Sequence, residues 1–255
     1  EWEERVKTEG DMVKNLEVYV AKFHKDKPLD NIYNLPDWLY PIQAGASLTT
    51  ERIADILDHD GENISHKNAN YCELTALYWI WKNRLTEENQ LTGKVCLTEK
   101  AQYYGVFHYR RILNLQKDDL ERMAVGDIDV VLPFPTVHEP DISEHHGRYI
   151  KEADWNVVMR ALEEVSPKYY EAYDKIFSQE YLYNYNILIA KKEVLKQYCQ
   201  WLFPILERVE ELSTPKGSER ADRYIGYIGE NLLTLYFMYH RNRLKIAHTG
   251  RRMLT

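Results

Sequence analysis

His108, Tyr109, Arg110 and Arg111 stand together at the end of GVFHYRRIL, residues 105–113. Guanidinium groups bind phosphate oxygens bidentately and keep their proton near neutral pH, so an adjacent pair beside a histidine suits a dianionic ligand. Pairing with surplus surface carboxylates is the alternative. The flanking residues are apolar, however, which sets the pair at a partly buried strand end, where cations without an anionic partner are costly. Anion binding is therefore the reading we carry forward. A second group lies in HDGENISHKNANYCE, residues 59–73, with Asp60, Asn63, Lys67, Asn68, Asn70 and Glu73. Amide side chains donate and accept at once, as reading a base edge or sugar hydroxyls requires; an Asx-rich turn is the competing account, and Asn70 by itself reads as the cap of a helix starting at 71. Glu230 follows two glycines in YIGYIGENLL. It is either a carboxylate favoured at the positive end of a helix or, if the glycines admit a ligand against the backbone, a general base. His145 and His146 compete for that role.

These side chains need strands and helices that bring their loops together. LEVYVAKF (16–23) alternates and is rich in Val and Tyr, which predicts a first strand running into the polar HKDKP loop. WLYPIQAGA (38–46) reads as a second strand, TTERIADIL (49–57) as a capped amphipathic turn, and 58–70 as a long polar loop. A buried aromatic-rich helix follows at 71–85, then a strand at QYYGVFHYRRIL and a short helix at 117–126 closed by Gly126. DIDVVLPFP (127–135) is a strand stopped by prolines, 136–150 a loop, and 152–177 a helical pair broken at Ser166-Pro167. A strand at 181–190, a long helix at 192–212, a loop at 213–223, an apolar helix at 224–242 and a short strand with a basic tail complete the reading. Strands alternating with helices predict an α/β domain with a largely parallel sheet, whose ligands bind beyond the carboxyl ends of the strands. The loops at 22–30, 58–70, 108–111 and 136–147 are then expected to converge on one crevice.

Composition narrows the classes. The 255 residues are 44% hydrophobic and 29% charged, enough for one large domain. With 33 basic against 40 acidic residues the net charge is −7, so the whole-chain balance does not suggest a nucleic-acid partner. The longest apolar windows fall short of the ~18–20 residues that span a bilayer. Cys72, Cys96 and Cys199 are widely spaced without a CxxC pair, which argues against a zinc site or a disulfide framework and for a reducing, cytoplasmic setting. No GxGxxG, GxxxxGK[ST] or GxSxG occurs. The charged segment at 1–15 reads as a linker or N-terminal helix ahead of a domain at 16–255, with the chain expected to be one module of a longer protein; an ordinary N-terminal helix is the other reading.

YPIQAGASLT, GENISHKNANYCELTALYWIWKN, GVFHYRRIL, YNILIAKKEVLKQYCQWLFPIL and IGYIGENLL resemble, in this order, a bacterial family of capsular and exopolysaccharide biosynthesis glycosyltransferases. The resemblance implies a GT-A-like fold and transfer of a hexose from a UDP-sugar, often galactose in pyranose or furanose form, to a hydroxyl of a growing surface glycan that is free or lipid-linked. Metal-dependent GT-A enzymes hold a divalent ion on a DxD at a strand end. Here the corresponding strand ends in His108-Tyr109-Arg110-Arg111, and Asp127-Ile128-Asp129 opens a strand instead of closing one. The expectation is an inverting, metal-independent enzyme needing no cofactor, with Arg110 and Arg111, beside His108, stabilising the departing diphosphate. Ala21, Lys22, Asp60, Asn63, Lys67 and Asn68 would hold the donor. Glu230, with His146 next in line, would be the base, and His145, His146, Asn184 and Asn186 would form the acceptor side. A non-catalytic glycan-binding or scaffold module of a polysaccharide-synthesis protein is the alternative. Either would work in the cytoplasm, at the inner face of the membrane if other parts of the protein attach it there.

Overall fold

The computed structural model describes residues 15–29, 36, 38–86 and 101–255; the segment read as an N-terminal helix, and Cys96, lie outside them. The strands are β1 (Leu16–Lys22), β2 (Leu39–Gln43), β3 (Ile56–Leu57), β4 (Tyr103–His108), β5 (Arg111–Leu113), β6 (Val130–Pro133), β7 (Thr136–Val137), β8 (Tyr181–Leu182), β9 (Leu188–Lys191), β10 (Ile246–Thr249) and β11 (Arg251–Met253). The main sheet runs β10-β6-β9-β4-β1-β2-β3, with β5 and β11 added at the end of β4, and β7 and β8 form a separate ribbon. Along that path β9 alone runs against its neighbours.

The helices are α1 (Asn68–Tyr71), α2 (Leu74–Arg84), α3 (Lys117–Val125), α4 (Ser143–Tyr149), α5 (Glu152–Val165), α6 (Pro167–Phe177), α7 (Lys192–Leu212) and α8 (Tyr224–Tyr239). Period-two alternation in β1 sends Leu16, Val18 and Val20 to the face covered by Leu120 and Met123 of α3. Tyr19 and Ala21 point to the opposite face, where α2, α7 and α8 supply Leu77, Leu202 and Leu232. Glu17 is fully buried on β1, and its carboxylate takes a fork from Arg84 at the end of α2, with Nε at 2.7 Å and Nη2 at 3.0 Å. Removing Arg84 would leave that buried carboxylate with the Tyr19 hydroxyl but no counter-charge.

Several local readings change. Residues 51–54 form no helical turn; the segment ends instead in the edge strand β3. The loop read at 136–150 contains β7 and α4. The single strand read at 181–190 is two, because Tyr185 and Asn186 have φ of 75° and 49°. Asn tolerates that left-handed region, and its amide is held by Glu73 Oε1 at 2.8 Å and the Gly226 carbonyl at 3.1 Å. The helix read from 71 breaks at Cys72, where φ is 50°. Asn70 lies within α1 and donates to the Gly217 and Arg220 carbonyls, so it joins two loops instead of capping a helix. The basic tail is β11, which pairs with β5.

Gly105 shows how tightly the inverted strand fits. A Cβ there would sit 2.6 Å from the Leu188 carbonyl oxygen, a backbone atom that cannot step aside. Gly105→Ala is therefore expected to destabilise the fold by about 1–3 kcal/mol, read as a lower Tm; an unchanged Tm would contradict this packing.

Candidate active site

β1, β2 and β4 run parallel, so their carboxyl ends open on one edge, where open α/β sheets take ligands. The register sets Ala21 opposite His108, which brings the ends of β1 and β4 level. Two adjoining concavities of about 620 and 330 Å³ lie there and share Asp26, Cys72, Glu73, His108, Tyr109 and Arg223. Together they form one cleft. Ala21, Lys22 and Asn68 line its smaller half. Arg110, Arg111, His145, Asn184 and Glu230 line the larger.

The chain reverses after β4, and His108 pairs with Arg111 across the turn. A continuing strand would have sent Arg110 and Arg111 to opposite faces; the reversal leaves both on the cleft. β11 braces this turn, with Met253 opposite Arg111 and the Leu254 N–H donating to the Arg110 carbonyl at 2.8 Å. The Arg111 guanidinium lies 4.4 Å from the centre of the Tyr185 ring, which Arg251 also approaches at 4.9 Å. Among the described residues neither Arg110 nor Arg111 has a carboxylate within ion-pair distance. Arg223, the N-cap of α8 at φ 64°, adds a third guanidinium, whose Nε donates to Cys72 Sγ at 3.2 Å. Burial, and then the charges of Arg111, Arg223 and Arg110, hold His108 down to about 4, so its ring is neutral at pH 7.

Across the cleft, Glu230 is largely but not fully buried in the second turn of α8, past the first-turn position where the helix dipole would account for it. The two preceding glycines serve packing: a Cβ on Gly226 would press on Cys72 Sγ at 3.2 Å, and one on Gly229 would meet Leu74 Cδ1 at 2.7 Å. They let α8 approach α1 and α2. Burial and then the nearby Glu73 push Glu230 up to about 8, against the pull of Arg111, the Tyr185 backbone and Arg223. Glu73 is itself raised by burial, opposed by its bond from Asn186. His145 Nε2 stands 3.7 Å from Glu230 Oε2. Burial and then His138 hold His145 down to about 4, so its ring too is neutral.

Of the residues the sequence nominated, Ala21, Lys22, Asn68, Glu73, His108, Arg110, Arg111, His145, Asn184 and Glu230 meet on this cleft. Besides Asn70, which joins two loops, five do not line it. Asp60 pairs with His59 at 3.4 Å, and its carbonyl accepts from Trp79 Nε1 at 2.7 Å. Asn63 donates to the His59 and Gly61 carbonyls and so folds its own loop. Lys67 is bound to Glu210 at 2.5 Å. His146, the next residue along α4 from His145, stacks on Trp155 with ring centres 4.1 Å apart, away from the cleft lining, and is withdrawn as the reserve base. Asn186 acts one layer behind, holding Glu73.

Sequence reasoning also passed over a DxD, Asp58-His59-Asp60, at the end of β3. Its Asp58 is fully buried and spent on the Gly45 and Ala46 amides, at 2.8 and 3.0 Å, and on the Ser65 hydroxyl at 2.5 Å. Asp127 and Asp129 are both bound to Lys191, at 2.5 and 2.8 Å. Arg223, Tyr149 and Tyr227 were missed as cleft residues, and His138 was placed there only through its loop. For Arg223 the one available signal was a basic residue just ahead of the glycine-bearing helix.

A family model described as "Domain of unknown function (DUF4422)" matches residues 17–242. No curated protein matches. A solved structure titled "WbbM bifunctional glycosytransferase apo structure" superposes with a TM-score of 0.72 at 23% identity, over 94% of this chain and 45% of that one. The chain thus spans less than half the length of that protein. A second, the mannosyltransferase Ktr4p from S. cerevisiae, gives a TM-score of 0.35 at 11% identity over 85% of this chain and 66% of that one, too distant to bear on the fold. The topology and the first likeness establish a GT-A-like fold. Among the described residues no helix is long and apolar enough to cross a membrane.

Proposed function

We propose, from the premise that this chain belongs to the DUF4422 family, that it is a glycosyltransferase moving a hexose from a UDP-sugar to a hydroxyl of a growing bacterial surface polysaccharide. Transfer proceeds with inversion and without a divalent metal. The observation that carries this reading is the arrangement of one cleft. Arg110 and Arg111, without carboxylate partners among the described residues, share it with the largely buried Glu230. The GT-A-like fold supports it.

The nucleotide lies along Ala21, Lys22 and Asn68, its diphosphate against Arg110, Arg111 and Arg223, and the acceptor enters past His145 and Asn184. The acceptor oxygen attacks the anomeric carbon while its proton passes to a Glu230 carboxylate oxygen. As that bond forms, the bond from the anomeric carbon to phosphate breaks, and its electron pair leaves with UDP. Fixed guanidinium groups neutralise the charge that grows on the leaving diphosphate, and they would repel a metal ion. Galactose, in pyranose or furanose form, is the donor sugar the sequence resemblance favours. A cytoplasmic module of a longer polysaccharide-synthesis protein, working on a lipid-linked acceptor at the inner membrane face, fits a chain that covers 45% of its structural relative.

Mass-spectrometric screening of UDP-sugars against surface-glycan acceptors tests the reading. Turnover is expected with at least one donor. Retained glycan binding without turnover of any donor would replace the transferase with a glycan-binding module. The base adds a pH signature. Glu230 is competent only when ionised, and its proton is held up to about 8, so kcat/KM should rise with pH through that region and level off above it. A profile flat through the neutral and mildly alkaline range would remove Glu230 from the role.

A further inference from the structure

The larger half of the cleft carries two aromatic rings that the transfer chemistry does not use. Tyr149, at the end of α4, is 50% exposed although its neighbour Ile150 is buried. Its ring stacks on Tyr227 of α8, with centres 5.2 Å apart and planes at 20°, and both line the cleft. Tyr227 and Glu230 are three residues apart on one helix, and His145 and Tyr149 four apart on another, so each pair shares a helix face. The stacked rings therefore lie about one helical turn, ~5 Å, from the Glu230–His145 pair. That is about the reach from a reacting hydroxyl to the far side of the sugar ring that bears it.

A second observation is independent of the rings. Asn184 and His145 are more than nine-tenths buried, and each keeps a polar atom, Asn184 Oδ1 and His145 Nδ1, without a hydrogen-bond partner. Unpaired buried polar atoms are rare and costly, and cleft residues that retain them are suited to ligand hydroxyls. The rest of this wall is already committed. Asn184 Nδ2 donates to Thr136 Oγ1 at 2.8 Å, Thr136 Oγ1 meets His138 Nε2 at 2.9 Å, and His138 Nδ1 meets Glu144 at 3.0 Å. The network fixes the Asn184 amide so that its free atom is an acceptor. A flat apolar face beside groups that bind hydroxyls matches a sugar ring, which has one face of C–H bonds and a rim of hydroxyls.

We infer that Tyr149 and Tyr227 form the acceptor platform and take the terminal sugar ring of a saccharide, with Asn184 and His145 binding its hydroxyls. This rests on the transferase reading and assigns the surface that holds its acceptor's terminal ring. The probes are the methyl glycosides of glucose, galactose and mannose, followed by saturation-transfer NMR. Native protein should bind at least one of them. Y149F, which keeps the ring, should bind it equally, and Y149A and Y149L should bind it about tenfold more weakly while UDP affinity and Tm stay native. Absence of glycoside binding by native protein, or Y149A and Y149L that both bind as native does, overturns the platform. The two readings fail separately. Turnover with an acceptor KM indifferent to Tyr149 removes the platform alone; Tyr149-dependent glycoside binding without turnover of any UDP-sugar removes the transferase alone.

Discussion

Glu230→Gln should lower kcat by about a thousandfold while leaving UDP affinity at its native value, because the amide fits the same space but cannot accept the acceptor's proton. The same substitution should raise stability. In the unfolded chain Glu230 titrates at its ordinary value of 4.5, and in the fold near 8. Between those values the unfolded chain is the form that has released the proton, so stability is full below about 4.5 and is lost as pH rises through 8. Gln carries no such slope. At pH 8 we expect Tm of the variant to stand ~4 °C above native, on the order of 1–2 kcal/mol for a domain of this size. Loss of activity joined to a gain in stability marks a residue kept for chemistry. Near-native turnover, or a lower Tm across the whole pH range, would place the base elsewhere.

The arginine turn should give the second large effect. Arg111→Ala and Arg110→Ala are each expected to lower kcat by about 10²–10³-fold, the range found when one donor to a developing charge is removed. The double variant should lose less than the product of the two, since on the proposed reading both groups act on one diphosphate. Lysine at either position should recover only part of the loss, because a point charge cannot form the guanidinium fork. Steady-state kinetics with the donor found by screening would show this. Single variants within a few-fold of native would mean that the turn binds nothing in the transition state.

What the sequence disclosed follows from how local the determinants are. β1, β4 and α7 and the break at Ser166-Pro167 are written in short-range periodicity and in a proline, and they emerge where expected. The arginine pair was legible for a similar reason: charged residues closing an apolar strand are conspicuous whatever lies around them. Other features depend on partners far along the chain. Lys67 answers to Glu210, 143 residues away, and so was misread as a ligand group. Asn186 holds a left-handed backbone because Glu73, 113 residues earlier, accepts its amide, and that contact splits the strand read at 181–190. Positive φ at Cys72, Tyr185, Asn186 and Arg223 clusters on or just behind the cleft. No propensity announces such positions, and strain of this kind gathers at functional sites. The Asp58 motif shows the converse. Two acids in a DxD spacing at a strand end look like metal chemistry, yet Asp58 is consumed by loop amides.

That arginines take the place of a metal on the leaving diphosphate is tested most directly by calorimetric titration of UDP in EDTA without metal and, separately, in manganese buffer without EDTA, on native protein and on the Arg110→Ala/Arg111→Ala double variant. The account predicts that native protein binds UDP equally well with or without manganese, and that the double variant binds about 100-fold more weakly in both, as expected when two charge-assisted contacts are lost. Binding to native protein that vanishes in EDTA and returns with manganese, together with a double variant that binds as native does, would contradict it.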